Sequence, residues 1–501
     1  MTGDEDRRLV TRHSSPVTFI KNLMGALRWS LVALLLVAFF VRLMWFIPFP
    51  DIPPKFDQGA FLRESRVLLE RGFAKWKYDE RAPGYILFLA ANLQWSGDAA
   101  LAVIRVSQSL LSVATVAAVF ALTRLLLGHH PRTQNSPRPV GEGSGVRSIS
   151  PRPVGEGSGV RSISPRPVGE GLGVRWIALL AAGLAAFYPD YIFYSQLLWS
   201  ETLFVFLTTL GLVLLLRGYR TRTDWRWFLA SGVCFGSALL TREVLLAFVL
   251  LCIPLWLWLA LDLKRRARVQ LILVFGIGVA SLLAPWTLRN VVQGNGLELI
   301  SWQGGRDFWK YNARLLRAPL RNKAMMTVLR QEPNGAASNG RGYREGMALI
   351  LRQPLQWLLA KTYNTAQSWR DVDSVALNAA WRLGFITRAA QKRLSPYLDA
   401  AGALWIIFTV IGFVYYRDAR VKLLFGLFVL ASLLAFFAIH YIARFRLGLA
   451  APLFPLTAYG IAASVGGARA FLQTRRIADR RRLALTLCLL FLLGAAWLPI
   501  R

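Results

Sequence analysis

Cysteine is scarce, with three in 501 residues. Cys234, Cys252 and Cys488 all fall inside apolar runs. Neither a disulfide framework nor zinc-ligand spacing is therefore readable. Histidine is almost as rare: His13, His129, His130 and His440 form no ligand cluster in the sequence. Negative charge is short too, at 27 Asp and Glu against 60 Lys and Arg, a formal net charge of +33. No GxxxxGK[ST] stretch occurs, which removes the usual nucleotide-phosphate cradle. A cleavable signal peptide is not evident either. The polar start MTGDEDRRLVTRH precedes an apolar run too long for an h-region, so that run is expected to remain as a span.

Long hydrophobic runs are abundant instead, and hydrophobic residues make up 55% of the chain. That is too apolar for one soluble core of this length. Windows at 31–47, 110–127, 177–193, 202–216, 228–240, 244–260, 271–283, 404–414, 423–438, 449–463 and 483–497 read as membrane spans. A span takes roughly 20 mostly apolar residues, so the fold class is an all-α polytopic membrane protein with about 11 transmembrane helices.

The large positive charge first suggests nucleic acid. Its distribution argues for no nucleic acid and for membrane orientation. RGYRTRTDWRW (217–227), KRRAR (264–268), YRDARVK (416–422) and RRIADRRR (475–482) are short basic loops between apolar runs, as on a cytoplasmic face. With the N-terminus inside, alternation places these loops inside together with 128–175. The other side receives 49–98, YPDYIFYSQ, the TRE turn, a long loop and HYIARFR. The segment 82–95 is short for a span and reads as a juxtamembrane or re-entrant helix.

Five regions follow: N-terminal spans with the first external loop (1–135), a repeat (136–175), central spans (176–288), an external loop (289–400) and C-terminal spans (401–501). The repeat has SPRPVGEGSGVRSI at 136–149 and 150–163, with a third copy from 164. A 14-residue Pro/Gly-rich unit buries almost nothing and reads as a disordered cytoplasmic loop. Within the external loop, 346–369 reads as one amphipathic helix on the membrane or against the first loop.

Ionisable residues at or just outside the membrane are functional candidates. On the external side these are Asp57, Glu64, Asp79, Glu80, Asp190 and Glu201, with Arg81, Arg242, Arg289, Arg306, Lys310, Arg444 and Arg446. A carboxylate among several guanidinium groups suits an anionic lipid headgroup, because arginine's planar fork binds phosphate oxygens in pairs. Each residue has a plainer reading. Asp57 is a good N-cap for the amphipathic stretch DQGAFLRESRVLLER. Glu201 and Arg242 can form a structural bridge between spans, and Arg444 and Arg446 can snorkel to headgroups.

FDQGAFLRESRVLLERG, DERAPGYILFLAANLQWSG, YPDYIFYSQLLWSETLF, SALLTREVLL, APWTLRNVVQGNG with SWQGGRDFWKYNA, and RFRLGLAAPLFPLTAYG follow one another along the chain. This ordered series resembles the bacterial membrane glycosyltransferases of family 39 type. These are relatives of the dolichyl-phosphate-mannose protein mannosyltransferases and the aminoarabinose lipid A transferases. Gln58 stands where many members carry Glu, Phe61 where many carry Tyr, and Gly448 where many carry Pro. The resemblance implies a GT-C glycosyltransferase-like fold with external amphipathic juxtamembrane helices. It also implies sugar transfer from a polyprenyl-phosphate donor, with inversion, on the periplasmic or extracellular face of the plasma membrane. The acceptor is a lipid, glycan or protein. Asp57 maps onto the catalytic base. Arg81 maps onto the cation before the Pro-x-Tyr segment, with Tyr85 and Glu201 as substrate-binding positions beside Arg242, Arg289, Arg444 and Arg446. No cofactor is assigned with certainty. A divalent metal is an open option, which the Gln58 substitution puts in question.

Two other classes fit the same charges. A transporter or flippase of polyprenyl-linked glycans would carry the same anionic headgroup, but internal repeats and matched broken spans are missing. A non-catalytic membrane scaffold would need none of these residues.

Overall fold

The computed structural model describes residues 16–46, 57–76, 81–97, 100–128, 172–221, 224–301, 303–316, 325–329, 331–332, 334–370, 375–438, 443–474 and 479–495. Residues 136–171 of the repeat region, His129, His130, Asp79 and Glu80 lie outside the described residues, while 172–175, expected as loop, open the helix Leu172–Ala186. The described chain is helical throughout, and the protein is a multi-pass membrane protein. Most of the apolar windows fall on single helices, but 177–193 is divided between Leu172–Ala186 and Pro189–Tyr194, and 244–260 combines a 3-10 turn, a π-helical turn and the helix Ile253–Ala260. Seven helices among the described residues are long and apolar enough to cross a membrane.

The first helices are α1 (Pro16–Phe46), α2 (Asp57–Arg71), α3 (Gly84–Ser96), α4 (Ala100–Leu127), α5 (Leu172–Ala186), α6 (Pro189–Tyr194), α7 (Glu201–Thr221) and α8 (Trp225–Thr241). A 3-10 turn (Glu243–Leu245) and a π-helical turn (Phe248–Cys252) lead into α9 (Ile253–Ala260) and α10 (Arg265–Val292). The long loop after α10 folds as α11 (Gln303–Leu315), α12 (Gly335–Arg352), α13 (Pro354–Arg370) and α14 (Val375–Leu383). The chain ends with α15 (Arg388–Tyr415), α16 (Ala419–Ala438), a 3-10 turn (Ala443–Arg446), α17 (Leu447–Thr474) and α18 (Arg480–Ala495).

Helices pair where small residues let backbones approach, as membrane helices do without a hydrophobic drive between them. Gly232 and Gly278 join α8 to α10, and a Cβ on either would strike the other helix's backbone. Gly412 and Gly460 do the same for α15 and α17. A buried charge near the end of α1 is also partnered internally. Arg42 of α1 donates to Ser112 Oγ (2.8 Å), Ala38 O (2.8 Å) and Ala186 O (3.1 Å), tying α1 to α4 and α5.

The two ends of the bundle carry different charge systems. At one end Arg420 forks onto Asp262 (2.5 and 2.8 Å), Arg220 pairs with Asp418 (3.5 Å) and the Tyr416 hydroxyl donates to Leu126 O. These contacts gather the basic loops assigned to one side by the alternation argument. Glu201 opens α7 and Arg220 lies in its last turn, so at 1.5 Å per residue the other system lies about 30 Å away.

The long loop after α10 is fastened to that far end. Trp286 Nε1 donates to Ile300 O (2.6 Å), and Ser301 Oγ donates to Glu243. Asn339 Nδ2 reaches both Glu298 oxygens (3.0 Å each), and Asp190 Oδ1 accepts the Ala376 N–H at the start of α14 (2.8 Å). The single helix expected over 346–369 is two helices, α12 and α13. The break falls at Gln353, with φ −141° and ψ 57°, because Pro354 follows and excludes the α region from the residue before it. On the outer face of α10 an apolar groove of about 800 Å³ runs along Gly276, Ala280 and Ala284, facing the π-helical turn and Pro254.

Candidate active site

Asp57 is the first residue of α2. The helix is held by a buried stripe, Gln58, Leu62, Ser65 and Leu68, which packs on α3 and not into lipid. Ser65 Oγ donates to Ile86 O (3.1 Å), and Gln58 Oε1 accepts the Leu198 N–H (3.0 Å). Position 58 is thus a buried fastener between α2 and the 195–200 segment. Glycine is required at 84, where α3 meets the end of α8: a Cβ there would lie 2.9 Å from Leu240 C and O.

The segment before α7 is shaped by Gln108 of α4. Its Nε2 donates to Leu197 O (2.8 Å), and its Oε1 accepts from Tyr85 OH (2.9 Å). Tyr85, expected at the substrate, is fully buried and performs this supporting job. Phe61 lies edge-on to Tyr85 (5.1 Å) and under the Arg81 guanidinium (5.1 Å). That stack fixes Arg81 beside Asp57, with Nη2 3.0 Å from Oδ1.

Three remote elements then converge. Glu201, buried at the start of α7, takes Arg242 Nη1 at 2.5 Å. Arg444, from the 3-10 turn before α17, bridges the two carboxylates. Its Nη1 is 3.5 Å from Asp57 Oδ2 and its Nε 3.6 Å from Glu201 Oε1, with Trp199 under the guanidinium at 5.3 Å. Two carboxylates against three guanidinium groups leave one positive charge in excess.

The electrostatics follow from this packing. Burial pushes the Asp57 carboxyl up, but Arg81 and Arg444 outweigh it and hold it below the usual carboxylate range. Burial pulls the Arg444 guanidinium down, and Glu201 and Asp57 reverse that. α11 supplies two groups that sequence reasoning did not single out. Burial raises Asp307, against the pull of Lys310, Arg306 and Arg81. Burial also raises the Tyr311 phenol, which feels Asp307, Arg444, Arg314 and Asp57. Both residues therefore stand within electrostatic reach of the Asp57 cluster. The signal was the polar pair inside GGRDFWKYNA, where every third or fourth residue is apolar. Beneath Glu201 lies a cavity of about 10 Å³, the size of one water, bounded by Ser112, Thr115, Tyr191, Tyr194 and Thr202.

The structure does not bring every expected cation to this cluster. Arg289 is buried elsewhere, over Trp286 (4.4 Å) and Trp76 (5.2 Å), and donates to Asn290 Oδ1 and to Trp76 O. It fastens the first loop to the end of α10. Arg446 is buried in the same turn as Arg444. Among the described residues no group of three or more His, Cys, Asp or Glu comes together as a metal would need. Asp57 and Glu201 both face guanidinium groups, so this pair as described does not fit a divalent cation.

Residues 169–294, about a quarter of the chain, match the sequence model of the dolichyl-phosphate-mannose-protein mannosyltransferases. No curated protein matches the whole sequence closely enough to be counted a relative. Among solved structures, the oligosaccharyltransferase of Archaeoglobus fulgidus in its apo form aligns at 12% identity and a TM-score of 0.48, covering 94% of this chain and 54% of that one. The same enzyme tethered to an acceptor peptide gives 12% and 0.47 over the same shares. ArnT from Cupriavidus metallidurans, bound to undecaprenyl phosphate, gives 15% and 0.33, covering 88% of this chain and 79% of that one. The chain spans about half the length of the archaeal enzyme. The resemblance to the mannosyltransferase family read from the sequence is borne out over the stretch that carries Glu201, Arg242 and Arg289.

Proposed function

We propose that the protein is an inverting membrane glycosyltransferase that moves a sugar from a polyprenyl-phosphate donor to a hydroxyl acceptor on the external face of the plasma membrane. One observation carries the reading: Asp57 sits in a net-positive cluster built from four separate parts of the chain. A solvated N-cap needs no such company.

The chemistry is direct. The acceptor hydroxyl gives its proton to Asp57 while its oxygen bonds to the anomeric carbon. The bond from that carbon to the phosphate oxygen breaks on the opposite face, and the electron pair leaves with the lipid phosphate. Arg444 and Arg81 are the cations placed to meet the growing phosphate charge, with Arg242 holding Glu201 beside them. In the free protein both Arg81 and Arg444 lie on Asp57. An incoming phosphate competes for them, which raises the basicity of Asp57 when the donor arrives. The apolar groove on α10 is of the kind a polyprenyl tail requires. No step is routed through a metal, and the reading leaves the sugar and the acceptor unnamed.

The test is purified protein in liposomes loaded with a polyprenyl-phosphate hexose labelled in the sugar. Sugar leaving the lipid supports transfer. Intact donor that changes leaflet replaces the reading with a flippase, and neither event leaves a scaffold.

A further inference from the structure

The cavity beneath Glu201 has a chemically one-sided wall. It lies where α4, α6 and α7 meet the start of α17. Most of its hydroxyl hydrogens are already committed to carbonyls. Thr115 Oγ1 donates to Leu111 O (3.0 Å), Thr202 Oγ1 to Tyr194 O (3.1 Å) and Ser112 Oγ to Tyr191 O (3.4 Å), while Ser112 Oγ accepts from Arg42 Nε (2.8 Å). The Tyr191 hydroxyl donates to Leu447 O and accepts from the Ala451 N–H, at 2.7 Å each. These groups have no hydrogen left to give. The threonine oxygens keep lone pairs that can accept.

Two polar groups of the wall differ. Tyr194 is 3% exposed, and its hydroxyl has no hydrogen-bond partner among the described residues. Burial pushes this phenol well above its usual value, and Glu201 and Asp190 push the same way against Arg444 and Arg242. The hydroxyl therefore keeps its hydrogen. Glu201 is also 3% exposed. Its Oε1 serves both arginines, with Arg242 Nη1 at 2.5 Å and Arg444 Nε at 3.6 Å. Its Oε2 accepts no hydrogen bond from the described residues.

A buried phenol hydrogen and a buried carboxylate oxygen are each costly when unpaired. The space that both border, about 10 Å³, is the least that holds a water, and a water needs two to four polar partners. Water brings two hydrogens to a wall of acceptors, and a lone pair to the one hydroxyl that still has a hydrogen to give. An apolar molecule pairs with neither group, and anything larger than water does not fit.

We propose that this cavity is a binding site for a single water, which accepts from the Tyr194 hydroxyl and donates to Glu201 Oε2 and to a threonine oxygen of the wall. The site stands apart from the glycosyl-transfer reading and does not depend on it. With Oε2 held by the water, Glu201 Oε1 is left to Arg242 and Arg444, so the water supports the charge cluster from inside the bundle.

Two measurements on the full-length protein test the site. The first is an experimental map of the wild type, refined until other buried waters are resolved. One ordered peak is expected about 2.5–3.2 Å from both Tyr194 Oη and Glu201 Oε2. A map that shows buried waters elsewhere and none there overturns the site. The second turns on a sign. Tyr194→Phe removes the hydroxyl and brings in nothing larger. A hydroxyl paired with water is lost at a cost, so the midpoint of thermal unfolding is expected to fall by about 1–3 °C. A hydroxyl unpaired in a dry space is better removed, and the midpoint rises. An unchanged or raised midpoint overturns the site. The map needs no variant, so it decides the matter if Tyr194→Phe does not fold.

Discussion

Arg81→Gln tests the electrostatic account most quantitatively. In the structure Arg81 Nη2 lies 3.0 Å from Asp57 Oδ1, with side-chain exposures of 25% and 36%. Two unit charges about 4 Å apart attract by about 1 kcal/mol in water and about 4 at the effective dielectric of a protein surface. A pair this exposed belongs near the lower end, at roughly 1–2 kcal/mol. One pH unit is 1.36 kcal/mol, so removing Arg81 should raise the Asp57 pKa by about one unit. The sign follows from the direction of the native shift. A carboxyl held below its unfolded value contributes stability above about pH 4, lost as pH falls through the lower folded value. As a base it is active only when ionised. The acid limb of kcat/KM, which reports the free enzyme, is therefore expected to move up by about one pH unit in Arg81→Gln. The profile is measured from about pH 3 to pH 8 with a soluble acceptor. An acid limb at the same pH in variant and wild type would refute the reasoning, because Asp57 would then not feel Arg81 or would not be the base.

Three further expectations concern what builds the site. Arg242→Met leaves the buried Glu201 carboxylate with only the long contact to Arg444, and is expected to cost about 3–5 kcal/mol in an unfolding titration. Adding Glu201→Gln to that variant should recover much of the loss. Asp190→Ala removes the acceptor for the Ala376 N–H, an N-cap contact worth about 0.5–2 kcal/mol, and should speed hydrogen exchange in α14 while leaving α7 unchanged. Gly412→Leu drives a side chain into the Leu456 carbonyl across α15 and α17, and is expected to abolish recovery of folded protein on size exclusion, where Gly466→Leu, which meets open space, does not.

The all-helical class was readable because hydropathy is local: most apolar windows became single helices, while 177–193 and 244–260 were broken into shorter elements. The break at Pro354 was readable in the same way, since a proline disfavours helix at the residue before it, yet the apolar period across it masked the signal. The charged cluster at Asp57 was only partly legible. Asp57, Arg81, Glu201, Arg242 and Arg444 stood out as charges beside apolar runs, and the structure joins all five. Arg289 stood out equally and went elsewhere, into an aromatic cage whose members Trp76 and Trp286 are over 200 residues apart in the chain. No local pattern separates those fates, which depend on which rings and carboxylates the fold carries to each guanidinium. Tyr85 illustrates the converse: its place in a motif suggested the substrate, and its hydroxyl is spent on Gln108. Tyr191, between Asp190 and Ile192, reads as core in the sequence until Leu447 and Ala451 are seen beside it.

The most direct measurement of the central claim is donor turnover by Asp57→Asn, reconstituted beside wild type with a labelled polyprenyl-phosphate sugar. The account predicts a loss of roughly 10²–10⁴-fold in sugar transfer, with the variant folded and still binding the lipid donor. Transfer at the wild-type rate in that variant would contradict it.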